Sequence, residues 1–520
     1  MKKITKYSIL FLLFGSILFS CTKDFEELNT DKTKISTIDN SSLDFVFSAA
    51  QYRGIFGMRG PFQLFEALYA DLQCQYFATT SKSFASDRNQ MVGNWLNGAW
   101  NHFYGSANPQ MDVVLEYTKT GGKLEDPVKN AIAKIWKVYI FMPITDAWGA
   151  VPYSQAGNGK NEVQYDSQED IYNDFFKSLK EATTVLNAYS GTNKFFEKGD
   201  LIYGGDVKKW LKFGNSLRLR AAMRISLKNP TLAKAEAEAA VAAGGGLITS
   251  NTDNAYMLMT PNSPNPLGQI SAWGEFRMSA AMESVLKGYN DPRMQKFFNP
   301  ALTGGGYKGI RNGMSVAQMT LTANGNDSNS NINSAFGFDN SIKAPWTVFT
   351  ASETLFLLAE GKLNGWNMGS GTAQSYYNDG ITASLDQWGI KDATIANNYK
   401  NGTSTPIALG DTYNTPAMTN IPVLFSTTVA IQREQIGTQK WLALYPYSPE
   451  AWSEFKRTGF PKLYPRLNSE NLDSPASDPA SVKRLTYPPI EASVNAGGLA
   501  SGVTKLGGPD KSSTKVWWNQ

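Results

Sequence analysis

The sequence predicts a mainly α-helical protein, in which amphipathic helices, two of them paired as a hairpin of tetratricopeptide-like size, are separated by long loops. Apolar residues recur three and four apart through several long stretches, the spacing that lines one face of a helix. Between them lie segments rich in Gly, Asn, Ser and Pro, at 243 to 345, 395 to 425 and 464 to 512, where few helical patterns remain. Apolar residues make up 42% of the chain, enough for a large core, and the 13 Trp suggest stacking surfaces in addition to that core.

The chain opens on a segment read as a lipoprotein signal, residues 1–20. Lys2, Lys3 and Lys6 form a basic start, and Ile9 to Phe19 an apolar run shorter than the ~20 residues a membrane-spanning helix needs. Leu18, Phe19, Ser20 and Cys21 then match a bacterial lipoprotein cleavage site, where only a thiol can accept a diacylglyceryl group. Cys21 is therefore the expected lipid anchor. Residues 21–40 read as a polar tether, and Asp24, Glu26 and Glu27 close behind the cysteine resemble a surface-export signal, which faces the protein to the cell exterior. Three of the 49 basic residues lie in the signal, so the formal charge of +4 falls to about +1 for the mature chain. A nearly neutral chain argues against nucleic acid as a partner. Cys74, the only other cysteine, leaves no disulfide framework and no multi-cysteine metal site.

The helices follow in order. Ile132, Ile135, Tyr139 and Met142 share one helix face; Ile171, Phe175, Leu179, Ala182 and Leu186 a second, after Ser167; Trp210, Phe213, Leu217 and Ala221 a third. Thr350 to Glu353 reads as a capping box opening a helix that ends near Leu363. Gly365, Gly369 and Gly371 break the chain before a second helix from about Ala373 to Trp388, and this pair of roughly forty residues has the size of one α-solenoid unit. Arg218, Arg220 and Arg224 sit between the apolar residues of their helix and are expected to pair with acids.

No catalytic constellation emerges. His102 is the only histidine, so a triad or a histidine metal site would rest on one residue. Gly304, Gly306 and Gly309 match a dinucleotide-loop pattern but lack the strand and helix it requires. Asp327, Asn329, Asn331 and Asn333 alternate like a calcium loop, yet Ile332 stands where glycine is needed and no acid closes the loop. Acid pairs such as Glu353 with Glu360, or Glu450 with Glu454, arise on any helix and read as salt-bridging groups. The expectation is a protein that is not an enzyme, with no catalytic residue, no metal and no cofactor; a surface glycoside hydrolase is the alternative.

Several segments, in order, resemble the SusD/RagB-like family of nutrient-binding outer-membrane lipoproteins. They are Thr145 to Ser154 (a D-x-W-G-x-x-P-Y loop), Lys209 to Arg220, Asp291 to Arg293, Leu358 to Glu360 and Tyr377 to Ile381. Gln439 to Leu444, Glu450 to Gly459 and Arg484 to Pro489 with Glu491 and Asn495 complete the set. The resemblance implies a SusD-like domain over 41–520, built of paired tetratricopeptide-like helices that support a loop-rich half bearing the binding face. It also implies a SusC-like, TonB-dependent outer-membrane transporter as partner, and an oligosaccharide or, in some branches, a peptide as ligand.

An aromatic platform is then expected from Tyr76, Trp95, Trp100, Trp273 and Trp346, because the C–H face of a sugar ring stacks on Trp or Tyr. Side-chain amides such as Asn97 and Asn101, interleaved with Trp95 and Trp100, are expected to meet its hydroxyls.

Overall fold

The computed structural model describes residues 38–160, 162–337 and 344–520. Cys21, the signal and nearly all of the tether lie outside the described residues. Several helices begin where the sequence offers caps. α1 (Asn40–Gly54) starts at Asp39, whose carboxylate accepts from the Ser42 N–H. α2 (Gly93–His102) and α3 (Asn108–Thr118) follow, and α3 packs against α1. α4 (Pro127–Trp148), α5 (Gln168–Ala188) and α6 (Val207–Arg224) are capped by Asp126, Ser167 and Asp206. Together with α7 (Pro230–Ala242) they pack each on the next.

The face read for α5 is buried and its other side exposed. α4 and α6 differ, because almost every side of them is covered. Later in the chain α8 (Pro266–Ala272) sits among loops, and α9 (Ala351–Leu363) and α10 (Ala373–Gln387) form the expected hairpin. α11 (Val429–Leu444) and α12 (Ser448–Thr458) close the scaffold. The capping box is only half made at Thr350, whose hydroxyl accepts from the Glu353 N–H. The Glu353 carboxylate instead takes a two-pronged bond from Arg220. A reciprocal box forms at α10, between Thr372 and Ser375.

That Glu353 pair belongs to a buried charge network. Arg220 binds Glu353 at 2.6 Å; Arg224 binds Asp146 at 3.1 Å, Glu450 at 2.6 Å and also Glu454. Glu454 also holds Lys440 at 2.8 Å and Arg457 at 2.7 Å, and Arg457 reaches Glu360 at 2.7 Å. Desolvating each charge costs several kcal/mol, and mutual pairing offsets it. The expected pairing of the arginines with acids is thus how α4, α6, α9, α11 and α12 are pinned together.

The segment 243 to 345 is more structured than its composition suggests, and includes the nine-residue helix Ala280–Gly288. Two short antiparallel sheets hold this half to the scaffold. β1 (Phe77–Thr79) pairs with β3 (Phe276–Met278), and β2 (Ala255–Met257) with β4 (Trp346–Phe349).

Candidate functional site

The site is built where the chain leaves α8 and enters β3. Gly274 turns at φ +71°, a left-handed conformation that costs glycine nothing, and this throws Trp273 outward, 46% exposed. Both sides of the turn are tied down. The Thr80 N–H and the Thr79 hydroxyl donate to the Glu275 carbonyl at 3.0 and 2.8 Å, and Asn326 Nδ2 donates to the Gly274 carbonyl at 2.7 Å. Arg59, on the short helix Arg59–Phe62, lies over the Trp273 ring with its guanidinium carbon 5.3 Å from the centroid. That helix continues into the π-helical turn Gln63–Ala70, whose first residue donates from Gln63 Nε2 to Glu275 Oε2 at 2.8 Å. Partial burial lifts the Glu275 carboxyl above its ordinary range, and the Gln63 bond pulls it back. Among the described residues neither Arg59 nor Glu275 has an ion-pair partner. An exposed indole thus lies under one unpaired cation, with an unpaired carboxylate two residues further along the turn.

Trp95 lies on a separate aromatic row that leads to β3. Half-buried on α2, it meets Phe84 edge-on at 5.7 Å, and Phe84 stacks on Phe276 of β3 at 5.6 Å. The row Trp95–Phe84–Phe276 therefore ends on the strand that Trp273 precedes by three residues. Three other expected platform residues lie in the core. Tyr76 is fully buried and donates to the Trp441 carbonyl at 2.6 Å; Trp100 donates to Glu491 Oε1 at 3.0 Å; Trp346 is buried and meets Phe62 at right angles, 5.5 Å between ring centroids. The reason for Trp100 is geometric: at ~100° per residue it lies about 140° around the helix from Trp95, so one face cannot present both. Asn97 is half-buried with its Oδ1 taken by the Ile490 N–H at 3.0 Å, and Asn101 is exposed.

Arg59, Gln63, Phe84 and Glu275 were not read as site residues. Glu275 alone left a signal, two positions after Trp273 in a Trp-Gly-Glu turn.

The remaining candidates are structural. His102 Nε2 lies 2.9 Å from the Arg53 carbonyl, and burial lowers its pKa. Cys74 is buried, which pushes its thiol well above the ordinary range and away from the reactive thiolate. In the loop that alternates like a calcium site, Asn329 Nδ2 donates to the carbonyls of Ala323 and Gly325, so that side chain is turned amide-first into its own loop. Glu353, Glu360, Glu450 and Glu454, the acids a glycosidase reading would start from, all sit in the buried ion network.

Comparison with known proteins follows the same lines. Residues 25–519 match the family described as SusD-like, Susd and RagB outer membrane lipoprotein. A chitin-binding SusD homolog from Flavobacterium johnsoniae is 33% identical, with 92% of this chain and 98% of that one covered and a TM-score of 0.83. A SusD homolog from Bacteroides vulgatus is 30% identical, over 91% and 97% of the two chains, with a TM-score of 0.81. One from Bacteroides thetaiotaomicron is 31% identical, over 93% and 99%, with a TM-score of 0.80. No curated protein matches the chain.

Proposed function

The chain belongs to the SusD-like family of outer membrane lipoproteins, and from that premise we propose that it captures oligosaccharides, chitin-type chains foremost, on the Trp273 platform for delivery to a TonB-dependent transporter. The observation that carries the reading is the open indole of Trp273 beneath the Arg59 guanidinium, with the Glu275–Gln63 hydrogen-bonded pair two residues along the chain as polar partners for a sugar. A pyranose offers an apolar C–H face and a polar rim, and this arrangement complements both. The chitin-binding relative supports the sugar class. The protein holds its ligand without chemistry, since the acids nearest to a glycosidase pair are committed to ion pairs. Cys21 anchors it, facing the cell exterior, and a SusC-like barrel is its partner.

Calorimetric titration with N-acetylglucosamine oligomers tests the reading: saturable binding, with oligomer lengths unchanged after incubation, is expected. Absence of binding to any glycan panel, or steady shortening of the oligomers, would overturn it. Labelled palmitate should enter the wild type and not Cys21→Ala, and a tagged protein should recover a large barrel from mild detergent.

A further inference from the structure

A second concavity is built from other elements, where the end of α6, α9, α11 and α12 meet, and has a volume of about 220 Å³. Its walls are largely apolar, from Ile436, Trp441, Leu444 and Phe460, with Leu227 at the mouth left 67% exposed. Gly437 shapes the roof: a Cβ there would come within 2.5 Å of the Phe460 Cβ, so only glycine lets that ring close over α11. Behind these lies the charge network. Glu360 and Glu454 line the cavity, but Arg457 and Lys440 already hold them at 2.7 and 2.8 Å. Arg433 is the exception. Half-exposed at the rim, it donates through Nη2 to the Asn364 Oδ1 at 2.9 Å and to the Leu363 carbonyl, both neutral, and among the described residues no carboxylate pairs with it.

We propose that this cavity binds a small monocarboxylate with an apolar body, its carboxylate on Arg433 and its chain against Trp441, Leu444 and Phe460. The back wall is internally paired, so the one charge left over is positive, and guanidinium presents two parallel donors suited to a carboxylate. The size limits the ligand. At ~30 Å³ per water the space holds about seven waters, which suits an acid of roughly eight heavy atoms and excludes an oligosaccharide.

Hexanoate is a suitable probe, with hexanamide as its neutral counterpart, both followed by calorimetry and ligand-observed NMR on the full chain. Saturable hexanoate binding is expected, with hexanamide at least about tenfold weaker. Arg433→Gln should weaken hexanoate about tenfold or more while leaving N-acetylglucosamine oligomer binding unchanged, and Leu227→Trp should occlude the mouth. Both positions are exposed enough that the variants should fold, which the melting temperature checks. No saturation by about 10 mM hexanoate, or equal affinity in folded Arg433→Gln, would overturn the proposal whatever the glycan result.

Discussion

The helical scaffold and the loop-borne rim treat charge in opposite ways. In the scaffold, Arg220, Arg224, Arg457 and Lys440 are buried and each is held by carboxylates within 3.1 Å. At the rim, Arg59 lies over an exposed tryptophan with Glu275 two residues along the chain, and neither is neutralised among the described residues. A buried ion must be paired to be tolerated, whereas a half-exposed one can keep its donors and acceptors for a ligand. The segments that carry the family resemblance fall on the first side. Asp146 takes bonds from Arg224, Tyr172 and Trp518, and Arg293 is clamped to Asp291 in the core. Those motifs specify the frame, and the proposed recognition surface lies outside them.

Breaking the network should have the largest effect. Arg224→Leu removes the partner shared by Asp146, Glu450 and Glu454 and is expected to cost about 5 kcal/mol in urea unfolding, against under about 0.5 for Arg59→Leu at the rim. Comparable losses for the two would erase the contrast.

An unpaired buried acid should sharpen it. Asp71 is fully buried, and desolvation lifts its pKa to about 7. Between about pH 4 and 7 the folded protein therefore binds a proton that the unfolded chain has released, so this group makes stability fall as pH rises through that window. Asp71→Asn should gain about 4 kcal/mol at pH 8, and little at pH 4, when melting curves are compared across pH. An unchanged pH slope would mean the carboxyl is not strained.

Effects on binding come next. Trp273→Ala should lose on the order of 2 kcal/mol of oligosaccharide affinity, about thirtyfold, without lowering the melting temperature. Trp100→Ala should do the reverse and unfold the protein more easily, because it opens a cavity beside Trp148. Smallest is Thr372→Ala, which removes one arm of the α10 capping box and should cost about 1 kcal/mol of stability with no change in binding.

Much of the scaffold was legible because helical periodicity is a local property. The α5 face and the α9–α10 pair were readable from spacing alone, and the pairing of Arg218, Arg220 and Arg224 with acids from their placement among apolar residues. The placement of the expected platform residues was legible in part. Trp273 and Trp95 could be suspected from a glycine turn and from neighbouring amides, but Asn94 to Asn101 reads as an alternation only along the chain; wound into α2 it sends Trp95 to the row with Phe84 and Trp100 to the core.

The sequence by itself therefore determined the helical class and the family, because period and motif order are written locally. The tertiary structure alone decided which of the tryptophans meets solvent, and that Arg59 and Gln63 lie against a turn more than two hundred residues away. It also decided that Arg433 is left without a carboxylate beside an apolar cavity. Exposure and charge pairing depend on what packs across the fold, and no spacing along the chain records a partner brought near only by folding.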